Sequence, residues 1–173
     1  MKLTHTVHFA FDLLLAQREA VAFVQNAQQS LSKASFIRDL EVVPAGAGEQ
    51  VSASIPINAA LFGQHDLSFE SVLVPNAKGA RLEPRSPDRP KMGWAEVAGE
   101  AEVRPLPSGS HVEYGFDITI HLDLPQPEKW GGQALLKMIH YTAQRVLEGI
   151  AAEFPKAVQD AAAETEAAYS RAR

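Results

Sequence analysis

Odd positions at the start of the chain are apolar or aromatic: Leu3, Val7, Phe9, Phe11 and Leu13, with His5 among them, while Thr4, Thr6, His8 and Asp12 take the even ones. A period of two predicts a half-buried strand. From Ala16 the period lengthens. Ala20, Val21, Phe23, Val24, Ala27 and Leu31 recur at three and four, which predicts an amphipathic helix to about Lys33, with Asn26 as a point where it divides into two shorter helices. Phe36 to Val43 is extended again, and Pro44-Ala45-Gly46-Ala47-Gly48 has the composition of a turn.

The middle of the chain reads as strands joined by short loops. Val51, Ala53, Ile55 and Ile57 alternate with serines, and Leu67, Phe69, Ser71 and Leu73 with Ser68 and Glu70. Ala80 and Leu82 open a short strand that Pro84-Arg85-Ser86-Pro87-Asp88-Arg89-Pro90-Lys91 should end, because three prolines remove ladder donors. Ala95, Val97, Ala101 and Val103 then oppose Glu96, Glu100 and Glu102. The clearest strand sets Val112, Tyr114, Phe116, Ile118, Ile120, Leu122 and Leu124 against Glu113, Asp117, Thr119, His121 and Asp123, so one face is core and the other meets water.

Beyond Pro125 and Pro127 the longest helical pattern begins, with Leu135, Leu136, Ile139, Ala143, Val146, Leu147 and Ile150 on one arc. Gly149 sits at the edge of that arc, a place for close approach to a sheet. Pro155 should kink or end the helix. The alanine-rich end, with Glu164, Glu166, Arg171 and Arg173, reads as a solvated helical tail, so the expected division is one domain over 1–160 and a charged tail over 161–173. An antiparallel meander with one apolar face needs a cover, and the long helix carries the only apolar stripe of matching length. The expected class is α+β: a curved antiparallel sheet of about seven strands wrapped around a long C-terminal helix, with a short helix or helix pair after strand 1.

Two local pieces carry a resemblance. Gly109-Ser110-His111-Val112-Glu113-Tyr114 is similar to a Gly-Thr-x-Val-x-Tyr hairpin entry, and Pro125 with Trp130-Gly131-Gly132 and Leu135 is similar to an entry into a last helix. With the element order they resemble the START-like, or Bet v 1-like (SRPBCC), superfamily and its helix-grip fold, within it the small bacterial polyketide-cyclase or carbon-monoxide-dehydrogenase-subunit-G type. The resemblance implies a cavity between sheet and helix that holds apolar ligands, and carries over no catalytic residue.

Composition narrows the chemistry. The 173 residues hold 16 Lys+Arg against 21 Asp+Glu, a net charge of −5, which disfavours a protein-wide phosphate-binding surface and hence nucleic acid. No cysteine is present, which removes disulfides, thiolate nucleophiles and iron–sulfur clusters and fits a reducing compartment. No run approaches the ~18 apolar residues of a membrane span, and His5, His8 and Asp12 interrupt the start where a signal peptide would be uniformly apolar. The expected location is cytoplasmic. The six histidines are scattered or wrongly spaced for strand ligands, so neither a metal nor a cofactor is expected.

Candidate site residues follow from parity. His5, Phe9, Phe69, Ser71, Tyr114, Phe116, Leu135, Ile139, Thr142 and Val146 should face the interior and line a cavity, apolar walls with a few polar groups. His5 near neutral pH and the Tyr114 hydroxyl are the groups able to orient a ligand or move a proton. Arg81, Arg85, Arg89 and Lys91 are a candidate anion contact at the cavity mouth, with Trp94 lining that mouth or pinning the loop. Three functions follow, in this order: binding of an apolar small molecule or lipid; a structural or assembly role, with a collapsed cavity and a protein partner or homodimer; and cyclase or hydratase catalysis by His5 and Tyr114.

Overall fold

The computed structural model describes residues 1–59, 63–86, 93–123 and 132–172, with the backbone alone at 58, 59, 63–65 and 135. Strand β1 (Lys2–Leu13) is followed by helices α1 (Gln17–Val24) and α2 (Ala27–Ser30). Strands β2 (Arg38–Ala45), β3 (Gly48–Ala59), β4 (Gly63–Asn76), β5 (Gly79–Arg85), β6 (Gly93–Leu106) and β7 (Gly109–Leu122) come next, then helix α3 (Gly132–Ala172). The strands form one seven-stranded sheet in the order β1-β7-β6-β5-β4-β3-β2, every pair antiparallel. This is the helix-grip arrangement that the alternation and the long apolar stripe require.

Parity holds along the strands. In β1 the even residues are exposed, whereas Val7 and Leu13 are buried. In β7, Val112, Tyr114, Ile118 and Ile120 are buried on the inner face, and Glu113 and Asp117 are exposed. The chain divides into two short helices at Asn26, whose side chain accepts from Gln29 N at 2.9 Å and caps α2.

The hairpin entry has a physical reason. A Cβ on Gly109, whose φ is +134°, would lie 2.0 Å from the Leu13 carbonyl oxygen, so only glycine admits the β1–α1 turn there. The neighbouring Ser110 hydroxyl, fully buried, donates to Leu15 O at 2.9 Å. Together they seat the turn after β1 against the β6–β7 hairpin.

Four expectations are corrected. Pro84 and Arg85 continue β5 instead of ending it. They pair with β4, whereas β5 pairs with β6 only over Gly79–Leu82, and a one-sided ladder tolerates proline. Gly149 does not approach the sheet; it is exposed, and a Cβ there would meet nothing within 4 Å.

Pro155 does not end α3, which runs on for 41 residues in all. Phe154, Ala157, Val158, Ala161 and Ala162 are buried beyond the point where the apolar arc was expected to stop, and that packing outweighs the hydrogen bond proline removes. Nor are residues 161–172 simply solvated. Thr165 is buried, accepts from Gln29 Nε2 at 3.0 Å and donates to Ala161 O at 2.9 Å. Lys33 meets Glu164 at 2.9 Å, and Glu166 accepts from Leu14 N, so this stretch clasps the helix pair. The helix crosses residue 160 without a break.

The core falls into two joined clusters. One gathers Leu13, Ala20, Phe23, Val24, Val103, Val112 and Tyr114 around Phe154 and Val158 of α3. The other gathers Val51, Ile55, Phe69, Val97, Ile118 and Ile120 around Leu147 and Ile150. Leu31, Phe36 and Phe116 touch both.

Candidate functional site

At the junction of the two clusters lies a cavity of about 50 Å³. Val24, Ala27, Ser30 and Leu31 border it on the helix-pair side, Phe154 and Val158 on the α3 side, and on the sheet side inner-face residues of β3 to β7, among them Tyr114 and Phe116, together with the exposed Glu100. At ~10–15 Å³ per enclosed water it has room for about three or four waters, so a larger occupant requires a wall to move.

Aromatic rings surround it. Tyr114 stacks on Phe9, with ring centroids 5.0 Å apart, and on Phe116 at 5.7 Å, while Phe154 meets Phe116 edge-on at 4.6 Å. Phe116 can lie over the sheet because β6 has Gly99 opposite it: a Cβ at Gly99 would come 2.4 Å from the Phe116 ring. The Tyr114 hydroxyl is buried and has no hydrogen-bond partner among the described residues. Burial pushes the phenol well above its ordinary range, so it is a neutral donor at any physiological pH.

The structure brings together only part of the expected set. Tyr114 and Phe116 line this cavity, and Phe9 packs on Tyr114 from the next strand. Phe69 and Val146 belong to the neighbouring cluster, while Ile139 and Thr142 are half-buried on α3. The Leu135 side chain, and Arg89 and Lys91 in full, lie outside the described residues, as do Pro125 and Trp130.

Ser71, fully buried, donates to Val97 O at 2.8 Å. The hydroxyl expected to meet a ligand instead bridges β4 to β6 where β5, still paired with β4, no longer pairs with β6. His5 is half-buried on the inner face but pairs with Ile118, four residues along β7 from Tyr114. At ~3.3 Å per residue their backbone positions are about 13 Å apart along the sheet.

Arg81 and Arg85 have the opposite parity to the cavity-lining Ala80 and Leu82. They are exposed on the outer face, with Arg81 3.9 Å from Glu83, so neither flanks this cavity. Trp94 is likewise on the outer face, stacked on His121 at 4.5 Å, with Glu96 3.0 Å from the histidine. The rest of that face carries solvated ion pairs; Arg104, hydrogen-bonded to Glu102, holds that carboxyl below its ordinary range. Among the described residues no group of three His, Asp or Glu converges on a point, and no helix is long and apolar enough to cross a membrane.

Phe154, Val158, Val24 and Leu31 line the cavity without having been expected to. The signal was there in Ala143, Leu147, Ile150, Phe154, Val158 and Ala161, whose spacing of three and four runs unbroken through Pro155.

Among solved structures the chain is similar to the ZhuI aromatase/cyclase from Streptomyces sp. R1128, at 9% identity and TM-score 0.53, covering 92% of this chain and 94% of that one. It is similar to SA2116, a protein of unknown function from Staphylococcus aureus, at 9% identity and TM-score 0.52, with 98% of each chain covered. It also matches the di-domain aromatase/cyclase StfQ of the steffimycin biosynthetic pathway, at 14% identity and TM-score 0.52, over 94% of this chain and 51% of that one. At such identities the likeness concerns the fold alone, the helix-grip fold described above. No curated protein matches the chain. Residues 8–152 match the model of the family described as "Protein of unknown function (DUF3809)", and the chain belongs to that family.

Proposed function

We propose that the protein binds an apolar or lipid-like small molecule carrying one hydrogen-bond acceptor, in the space between the sheet, the helix pair and α3. The observation that carries this is the Tyr114 hydroxyl, buried without a partner among the described residues, at a mainly apolar, aromatic-walled cavity whose other polar lining is Ser30 and Glu100. An unpaired buried donor costs free energy that an acceptor on a ligand recovers. Aromatic walls supply the apolar contact and the single donor supplies orientation. The fold neighbours that are aromatase/cyclases support use of the interior, as a likeness of fold. On this reading the protein acts in the cytoplasm, without nucleic acid or integral membrane association.

The test is native mass spectrometry of gently purified protein, together with titration of 1-anilinonaphthalene-8-sulfonate. The expected result is co-purified extra mass, or saturable dye binding that Ala27→Leu, which fills the cavity, removes. Bare protein mass with no dye site in the folded wild type overturns the reading.

The small volume favours a second reading, a structural or assembly protein whose interior has closed on its own side chains. The same titration separates the two, because a closed interior takes up no dye. Cyclase or hydratase chemistry ranks third, because the other titratable residue on the cavity lining, Glu100, is exposed to solvent.

A further inference from the structure

A cavity of about 50 Å³ cannot admit a ligand of lipid or polyketide size unless part of its wall moves, and the walls differ in how they are held. The sheet side is closed by ladders such as β6–β7, paired continuously from Gly93↔Leu122 to Leu106↔Gly109. Helix α3 is anchored in both core clusters, and α1 is fixed by Ala20 and Phe23, which are 0% and 1% exposed. Among the described residues the remaining wall is α2, four residues long, whose cavity side is made of Ala27 and Ser30 with Leu31 just beyond. A helix that short has no stability of its own, and side chains that small bring little apolar contact.

Ala27 and Ser30 are buried against the core, and what hydrogen-bonds α2 and its joint to the sheet is a pair of side chains. Gln25, at the joint between α1 and α2, donates both hydrogens of Nε2 to the β4–β5 hairpin, one to Asn76 O at 2.9 Å and one to Gly79 O at 2.8 Å. Glu49 of β3 accepts from Ala27 N at 3.0 Å, the first amide of α2. Directly behind these contacts lie Val24, Ala27, Leu73 and Ala80, all lining the cavity. The far side of α2 is tied to α3 through Gln29 and Thr165.

We infer that α2 is the portal of the cavity, its Gln25–Ala27 end lifting from the sheet while Gln29 holds its other side to α3, and that Gln25 and Glu49 are the latch on that end. This rests on the binding reading above. A glutamine bonded to two carbonyls can let go at modest cost because water satisfies all the groups it leaves, whereas parting two strands breaks a whole ladder.

The experiment uses the full chain and two readouts. Stopped-flow mixing with 1-anilinonaphthalene-8-sulfonate measures entry and exit, and native-state hydrogen exchange measures opening without any ligand. Gln25→Ala is expected to raise both dye rates by about tenfold, the worth of one to two net hydrogen bonds, with a smaller change in affinity. It should also speed exchange at Ala27–Leu31 and leave Ala143–Ile150 unchanged. Because the chain has no cysteine, Gln25→Cys with Lys78→Cys can be bridged by a short bis-maleimide, and the bridged protein should slow entry below wild type. This arm stands even if Gln25→Ala folds poorly. Dye rates equal in wild type, Gln25→Ala and the bridged protein overturn the portal. So does wild-type exchange at Ala27–Leu31 as slow as at Ala143–Ile150. Dye that binds none of the proteins overturns the binding reading instead, while the exchange comparison still decides the portal.

Discussion

Removing one oxygen atom tests the central feature of the interior. The Tyr114 hydroxyl is buried and unpartnered, and a hydroxyl in that state costs about 1–3 kcal/mol relative to water. Tyr114→Phe deletes this cost and forfeits the dispersion contacts of one atom, each worth ~0.1–0.2 kcal/mol, so less than about 1 kcal/mol altogether. The net expectation is a gain of about 1–2 kcal/mol, which for a chain of this size raises Tm by roughly 2–8 °C. Differential scanning calorimetry at neutral pH measures it. The same substitution has an alkaline signature. The folded phenol is pushed above the ordinary value that the unfolded chain keeps, about 10. Its titration therefore contributes nothing below that pH, and stability falls above it, by up to about 1.4 kcal/mol per pH unit, as the unfolded state alone ionises. Tyr114→Phe should lose that much less per unit above pH ~10. A Tm that drops on substitution, with an unchanged alkaline limb, refutes the reasoning: the hydroxyl would then be satisfied in solution, as by water in the cavity.

Gly149→Ala should stabilise by about 1 kcal/mol, since the site is an exposed helix interior with nothing near a new Cβ; urea denaturation measures this, and a loss would mean that α3 packs on another surface there. Ser71→Ala strands the Val97 carbonyl where β5 no longer reaches β6, and should cost about 1–3 kcal/mol by the same assay. Gly99→Ala should cost about 1–3 kcal/mol by driving Phe116 off the sheet. Pairing it with Phe116→Leu should recover part of that loss in a double-mutant cycle, and strict additivity would show that the ring is not what is displaced.

The alternation that runs from Leu3 to Leu13 and from Val112 to Leu122 was enough to read which face of each strand is buried, because side chains on a strand alternate whatever the strand pairs with. The cover helix and the division at Asn26 were legible for the same reason: local period and local capping act within a few residues. Expectations that treated one residue in isolation fared differently. Pro155 lowers helix propensity at its own position, but burial of Phe154, Val158 and Ala161 is a sum over a whole interface, and the larger sum won. Gly149 looked like a contact because it sits beside the apolar arc, yet only the crossing of α3 over the sheet decides which edge of that arc is covered.

The site itself shows the same division. Parity named Tyr114 and Phe116 as inward, and they line the cavity. It also named Ser71 and His5, which point inward for other purposes or at other places. One hydroxyl closes a gap between strands that are not neighbours in the sheet, and the backbone position of His5 is about 13 Å along the sheet from that of Tyr114. The sequence by itself determined the faces, the element order and a neutral donor buried among rings, because each follows from periodicity over a few residues. Only the tertiary structure decided that the donor has no partner, that the cavity is small, and that a four-residue helix held by Gln25 and Glu49 forms its thinnest wall. Those are consequences of residues 22 to 54 positions apart being set side by side, which no local pattern encodes.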